Sequence, residues 1–275
     1  MTRPSLADYG THDESAFPHL WSGVVGAWCP SLGPTGLRLH DFSRRANWGT
    51  LTNMDAATDW QIDAGQYGLR FGGVNQYVGI PFRNLAAASF SLSVWHKNTR
   101  TGSGDWDTIV SIGALTGGFM LDGYAGQTTR RYAIRGSGVT DYIVGSTTYA
   151  LNAWNHIGYV QVNDSGTNFG VLYLNGRPDS VLTSVGSFTP GTDPTFLSIG
   201  SYYQGQFSIS VEGFVDDLVF WDGPIAANSM TELYQIGRGG MYTPRRRRRA
   251  YSFGPSFLAA WARGSNVILQ PCGVS

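Results

Sequence analysis

The stretch VEGFVDDLVFWDGPIAANSMTELY, residues 211–234, carries a strand and a helix in immediate succession. FVDDLVFW (214–221) reads as a strand with one buried face, because apolar residues recur at a period of two. The helix follows. Ser229 stands where an N-cap belongs, and Glu232, three residues later, is placed to complete a capping box. Met230, Leu233 and Tyr234 give the helix an apolar side, and Gly237 is a suitable stop. No other segment gives a convincing helical signal.

Working outward, more strands appear. FSLSVWH (90–96) puts Phe90, Leu92 and Val94 on one face, and NHIGYVQV (155–162) and GVLYL (170–174) alternate as well. GVVGAWC (23–29) is a short apolar run. Turn signals separate these runs at Gly72-Gly73, Asn98 to Gly104, Gly117-Gly118, Asn163 to Gly166, Asn175-Gly176 and Pro190-Gly191. Asn175-Gly176 reads as a tight hairpin whose residues need positive φ. Many short strands at regular spacing predict an all-β sandwich of two antiparallel sheets, not alternating βαβ units. The composition agrees: 37 glycines, 13% aromatic residues and only 14% charged residues in 275 suit short strands joined by tight turns. The 42% apolar content is enough to fill a core.

The formal charge of zero hides a split. Residues 1–237 hold 12 basic against 19 acidic residues, a formal −7, whereas residues 238–275 hold 7 basic and no acidic residues, a formal +7. The organisation expected is an N-terminal arm (1–20), a sandwich domain (21–237) and a basic docking tail (238–275). Lys97 is the sole lysine, a bias that coding composition explains. No stretch approaches the ~20 apolar residues that span a bilayer, and residues 1–20 lack the apolar core of an export signal. Cys29 and Cys272 allow either a disulfide joining the tail to the first body strand or two free thiols.

Taken in order, five segments resemble the laminin-G-like branch of the concanavalin A-like lectin/glucanase superfamily: GLRFGGVNQYVGIP (68–81), FSLSVWHK (90–97), WNHIGYV (154–160) with LYLNGRP (172–178), SIGSY (198–202) and residues 211–234. The resemblance implies a concanavalin A-like jelly roll whose closing strand leads into one short C-terminal helix, while residues 1–20 and 238–275 read by their own composition as extended arms. Trp95, Trp154, Tyr173 and Trp221 are expected in or near its core.

The resemblance also raises glycoside hydrolysis, which usually needs two carboxylates about 5–9.5 Å apart. The glucanase Glu-x-Asp-x-x-Glu strand is absent. Glu14, Glu212 and Glu232 are the only glutamates, and Asp105 with Asp107 fits no glycosidase pattern. His12, His19, His40, His96 and His156 have no metal-ligand spacing. A non-catalytic protein is therefore expected, with His156 in a structural role.

In many relatives a structural Ca²⁺ takes oxygen ligands from loops and from the aspartate of the closing strand. Asp216 matches that aspartate, and Asp41 with Asn47 lies in LHDFSRRANWG, which resembles the family's other ligand loop. Against this, Asp41 suits a turn bonded through its own side chain, and Arg44 and Arg45 discourage a cation beside it. Sugar binding in such modules uses loop aromatics, here Trp106, Tyr124, Tyr202 and Tyr203, which serve equally well as loop packing.

The tail matches nothing in the jelly roll. Tyr242, Arg245, Arg246, Arg247, Arg248, Arg249, Tyr251, Phe257 and Trp261 combine guanidinium and aromatic groups. Nucleic-acid binding uses that mixture, but no nucleic-acid-binding fold accompanies it. A solvated tail is the plain alternative. A segment docked on an acidic partner, or on the body of a neighbouring copy, uses bidentate arginine–carboxylate pairs. Such jelly rolls with Arg-rich tails look like virion decoration or fibre modules of tailed phages and related bacterial genomes. The expectation is a virion structural protein, held by its arms to capsid-type proteins or to copies of itself, with surface glycans as further partners and no membrane contact. A free extracellular or cell-surface lectin module is the main rival, and tail-borne nucleic-acid binding the second.

Overall fold

The computed structural model describes residues 15–82, 89–102, 106–113, 119–125, 130–136, 142–164, 167–185, 196–202 and 206–243. The strands are β1 (Val24–Trp28), β2 (Arg38–Leu39), β3 (Gly49–Thr52), β4 (Trp60–Asp63), β5 (Gln66–Gly72) and β6 (Tyr77–Pro81). Next come β7 (Phe90–Asn98), β8 (Trp106–Ile112), β9 (Phe119–Ala125), β10 (Arg130–Gly136), β11 (Tyr142–Val144) and β12 (Trp154–Asp164). The last are β13 (Thr167–Leu174), β14 (Arg177–Val185), β15 (Phe196–Ile199), β16 (Ser201–Tyr202), β17 (Gln206–Ser210) and β18 (Glu212–Trp221), followed by helix α1 (Ala227–Ile236).

The strands pair into two eight-stranded antiparallel sheets stacked as a jelly-roll sandwich. Sheet I runs β14–β13–β12–β7–β18–β5–β4, with β1 also on β18; sheet II runs β11–β10–β9–β8–β15–β6–β3–β2. β16 and β17 form a separate hairpin. Between the sheets, inward residues of every second position form one apolar core that includes Trp28, Phe71, Phe90, Phe119, Tyr159 and Phe220. Phe90 meets Phe119 edge-on at 5.2 Å, the geometry in which ring quadrupoles attract. The hairpin after Leu174 is as read from the sequence: Asn175 and Gly176 have φ of 50° and 74°, and Leu174 pairs with Arg177.

β18 decides what lies on each face of sheet I. Its alternation is broken by a bulge, a register shift between Asp216 and Val219 with Asp217 at φ 48°. A bulge inserts one residue and resets which side chains point inward. Val215, Leu218 and Phe220 therefore face the inter-sheet core, while Val219 and Trp221 face outward. Before the bulge β18 pairs with β5, and after it with β1.

The outward residues are covered too. Leu20, Trp21, Tyr173, Trp221, Met230 and Tyr242 belong to a second buried cluster on the outer face of sheet I. Tyr173 and Trp221, expected in or near the core, are buried there. Trp95 stacks on Tyr234 of α1 at 5.9 Å, and Trp154 is only partly buried. Helix α1 reaches this face closely because Gly158 has no side chain: a Cβ there would lie 2.5 Å from Met230 Sδ.

Ser229 does not cap the helix. The N-cap is Ala226, in extended conformation and without a side-chain cap. The start is set by tertiary contacts: Ile225 N–H donates to Ser91 Oγ (3.0 Å), whose hydroxyl donates to the Gly223 carbonyl (2.9 Å). Glu232 is thereby left to His19, 2.7 Å away.

The domain limits also differ from expectation. Ser15 to Leu20, read as arm, and Arg238 to Thr243, read as tail, form part of the body. Ser15 Oγ donates to Met241 O (2.6 Å), Ala16 N to Thr243 O (2.8 Å) and Trp21 Nε1 to Met241 O (3.2 Å). The apolar side chains Leu20, Trp21, Met241 and Tyr242 drive this, since all four are buried.

Candidate functional site

Three of the four aromatics expected to bind sugar are in described segments, and strand alternation brings two of them, Trp106 and Tyr124, to the outer face of sheet II, while Tyr202 belongs to the separate β16–β17 hairpin. Trp106 opens β8, and Tyr124 is directly opposite it on β9. Their rings lie 4.4 Å apart at 39°. From β10, the Arg135 guanidinium lies 4.3 Å over the Trp106 ring, a cation–π contact, while its Nε donates to Asp122. Thr108 Oγ1 donates to the other Asp122 oxygen at 2.7 Å. Burial raises the Asp122 carboxyl pKa, and the Arg135 contact opposes that rise. Tyr202 stands near enough for the same Arg135 and Asp122 charges to act on its hydroxyl. Trp106, Tyr124, Arg135 and Tyr202 each keep part of their surface exposed.

The cluster is a fixed surface of paired rings beside one charge-compensated pair. Rings can stack on the apolar face of a sugar, and the charged groups offer polar partners. Arg135 and Asp122 were not visible as site residues in the sequence; the signal available was their alternate spacing with Tyr124 and the Arg131 position on strands that face outward. Tyr203 lies outside the described residues. Among the described residues the most exposed tryptophan is Trp48 (42%), with Arg38 4.9 Å over its ring.

The proposed Ca²⁺ residues are held by protein donors. Asp41 Oδ1 accepts from Ala27 N (2.9 Å) and Ser43 N (2.8 Å), and Oδ2 from Ser43 Oγ (2.8 Å) and Asn47 N (2.7 Å). Burial still raises its pKa. Asn47 Nδ2 donates to Val25 O at 3.0 Å. Asp216 Oδ1 accepts from Ser31 N (2.9 Å) and Asp217 N (2.8 Å), and Oδ2 faces Arg238 Nη1 at 3.5 Å. A donor set this committed does not fit a hard cation, which needs several uncommitted oxygens. No grouping of three or more His, Cys, Asp or Glu suited to a metal occurs among the described residues. The nearby positive charge is Arg238 itself. Its guanidinium also lies 3.9 Å over Trp154 and donates to Asp63 O at 2.7 Å.

Of the docking residues, Tyr242 is the one described, and it is fully buried. Its ring meets Trp21 at 5.2 Å and Phe42 at 5.1 Å, so it anchors the chain internally and offers no docking surface. It is large and apolar enough to complete the second cluster, which a basic flanking sequence conceals. Arg245 to Arg249, Tyr251, Phe257 and Trp261 lie outside the described residues. So does Cys272, whereas Cys29 is a free, buried thiol.

Two buried polar groups look like chemistry but are sealed from substrate. Ser93 Oγ and His156 Nε2 are 2.8 Å apart, the spacing of a nucleophile and its base. Both are buried, and His156 Nδ1 has no partner to orient it. Burial pushes His156 down to about 3. Asp107, pushed up to about 6 by burial, is paired with Arg100 Nε at 2.6 Å and with Asn98. No helix among the described residues is long and apolar enough to cross a membrane.

The fold has solved counterparts. Domain 4 of AbnA, an extracellular GH43 arabinanase of Geobacillus stearothermophilus solved with arabinotriose, superposes with a TM-score of 0.55 at 17% identity, covering 77% of this chain and 98% of that one. Trypanosoma rangeli sialidase solved with sialic acid gives 0.58 at 15% identity, covering 78% of this chain and 33% of that one. Botulinum neurotoxin type C, whose cell entry is described as depending on two ganglioside molecules, gives 0.55 at 11% identity, covering 80% and 52%. At these identities the likeness is one of fold, and it takes in about a third of the sialidase and half of the toxin. None of the curated proteins matches. A laminin-G-type family model, described as the concanavalin A-like lectin/glucanases superfamily, matches residues 71–229. That match spans more than half of the sequence, and the chain belongs to this superfamily.

Proposed function

We propose that this chain is a non-catalytic glycan-binding module, anchored through the segments that precede Ser15 and follow Thr243. The observation that carries the reading is an opposition of faces. The roots of both segments lie side by side against the outer face of sheet I, where Ala16 bonds to Thr243. The Trp106–Tyr124–Arg135 surface lies on the outer face of sheet II. An attachment point on one side and a ring-lined surface on the other suit a displayed domain. The solved counterparts, two of them bound to arabinotriose and to sialic acid and the third a toxin dependent on gangliosides, make a carbohydrate the ligand class to test first.

The same arrangement supports a place on a virus particle, with the Arg245–Arg249 segment docked on a capsid-type protein or on a neighbouring copy. Incorporation into particles is the measure of that finer reading. Glycan binding is tested separately by titrating a panel of neutral and acidic oligosaccharides against the full chain and against Trp106→Ala and Tyr124→Ala. Stacking of a planar base on one aromatic ring is worth ~1–3 kcal/mol, and a contribution of that order from a sugar face means that loss of either ring weakens binding by about fivefold to a hundredfold. Unchanged affinity in both variants removes this surface as the site.

A further inference from the structure

Strand β2 is the outermost strand of sheet II at the end away from β11. Leu39 and Leu51 belong to the inter-sheet core, so alternation turns Arg38, His40, Trp48 and Thr50 to the outer face. Arg38 stands directly opposite Thr50, and Leu39 opposite Gly49. Trp48 is 42% exposed. The Arg38 guanidinium lies 4.9 Å over its ring, and the His40 ring lies 5.6 Å from it. The backbone beneath these groups is fixed. Trp28 Nε1 donates to Asn47 O (2.8 Å), Asn47 N to Asp41 Oδ2 (2.7 Å) and Asn47 Nδ2 to Val25 O (3.0 Å). Leu51 N–H donates to Leu37 O at 3.0 Å, and Thr35 Oγ1 donates to Arg38 O.

The chemistry of this surface selects a ligand. Among the described residues no carboxylate pairs with Arg38, and no acceptor takes the indole N–H of Trp48. A guanidinium stacked on a ring keeps its in-plane fork of N–H donors available for an oxyanion. His40 adds at least one N–H in either charge state. The exposed part of the indole offers an apolar surface beside these donors. We infer that Arg38, His40 and Trp48 form a site for a saccharide unit that bears an oxyanion, carboxylate or sulfate. The oxyanion sits on the Arg38 fork, the ring carbons lie against the indole, and a hydroxyl reaches Thr50. The ligand class rests on the glycan-binding reading; the residues do not. In sheet II β3 and β8 are three strand positions apart, roughly 14 Å, so this surface and that of Trp106 can be removed separately.

Isothermal titration of the full chain with galacturonic acid and with galactose 6-sulfate tests the assignment and tells carboxylate from sulfate. Galactose is the neutral control, and acetate and inorganic sulfate are the simple anions. At least one acidic sugar is expected to bind about tenfold or more tighter than galactose and than its own simple anion. Arg38→Ala is expected to abolish that preference, and Trp48→Ala to weaken acidic-sugar binding about fivefold or more. Trp106→Ala and Tyr124→Ala retain both. Arg38 and Trp48 are exposed, and an unchanged thermal melt establishes that their variants are folded. Three results overturn the inference: neither acidic sugar exceeds its controls, the preference survives Arg38→Ala, or Trp48→Ala leaves the affinity unchanged. Acidic preference that depends on Arg38 but on neither Trp106 nor Tyr124 upholds this site whatever becomes of the Trp106 surface. Neutral-sugar binding that depends on Trp106, without acidic preference, upholds that surface and removes this one.

Discussion

Ala16 donates its backbone N–H to the carbonyl of Thr243 at 2.8 Å, closing a loop of almost the whole described chain. Around this bond Trp21, Tyr242 and Phe42 meet edge-on, and Gly239 N–H donates to Asp217 Oδ2 at 3.0 Å. Residues 238–243 thus form a strap across the outer face of sheet I, fastened at one end by charge and at the other by rings. The sandwich is finished by the segments that were expected to hang free of it.

A chain ending at residue 237 is therefore expected to be much less stable than one ending at 243. Loss of a fully buried large aromatic costs about 3–5 kcal/mol, so Tyr242→Ala alone should lower the urea midpoint clearly while leaving the slope unchanged. Equal midpoints for chains ending at 237 and 243 would show that the strap contributes nothing.

Residues 214–221 show how far the sequence is legible. Alternation reveals a strand, and five segments in order reveal a lectin-type sandwich. Periodicity alone does not reveal a bulge: strict alternation would turn one of Asp216 and Asp217 outward, yet the structure buries both. The same limit hid the strap. Arg238 and Tyr242 stand next to a basic run and far from their partners Asp216 and Trp21, so their burial depends on contacts that no local pattern encodes. The Trp106–Tyr124 pair was legible as two aromatics beside turns, but its partner Arg135 emerges only from the β8–β9–β10 register.

Arg238 supplies a second prediction. Asp41 and Asp216 are committed to protein donors, and the compensating positive charge is a guanidinium, so chelation by EDTA and addition of Ca²⁺ should leave the melting temperature unchanged. Arg238→Ala should lower stability, because it removes the guanidinium beside Asp216, its bond to the Asp63 carbonyl and its packing on Trp154. A rise in melting temperature on adding Ca²⁺ to the unaltered chain would falsify this account.

Removal of residues 244–275 separates anchorage from ligand binding. On the anchorage reading, far-ultraviolet dichroism, melting and glycan titration of the shortened chain should match those of the full chain. Incorporation into particles should disappear. Normal incorporation without the Arg245–Arg249 run would end the docking reading, whereas loss of glycan affinity would mean that the tail contributes to the ligand surface.

The pH dependence of stability follows from groups sealed in the core. Burial pushes His96 and His156 down to about 3 from an ordinary value of 6.5. Their folded pKa lies below the unfolded one, so the stabilisation of the neutral rings is complete above pH 6.5 and is lost as pH falls through about 3. At about 1.4 kcal/mol per pKa unit, each ring accounts for roughly 4–5 kcal/mol over that window. The buried acids act in the opposite sense. Burial pushes Asp107 and Asp217 up to about 6 and, with Asp217 beside it, Asp216 up to about 8. Their contribution is complete below the unfolded value of 3.8 and is lost as pH rises through 6 to 8. The two sets oppose each other around pH 4–6, so substitution is needed to separate them. His156→Asn keeps a side chain able to bond Ser93 while removing one titration. Its urea midpoint, followed from pH 7 to pH 3, should fall less steeply than that of the unaltered chain, and the difference should grow from pH 6.5 downward. Parallel curves would mean that His156 is not the neutral, buried ring its partners Ser93 and Trp95 indicate.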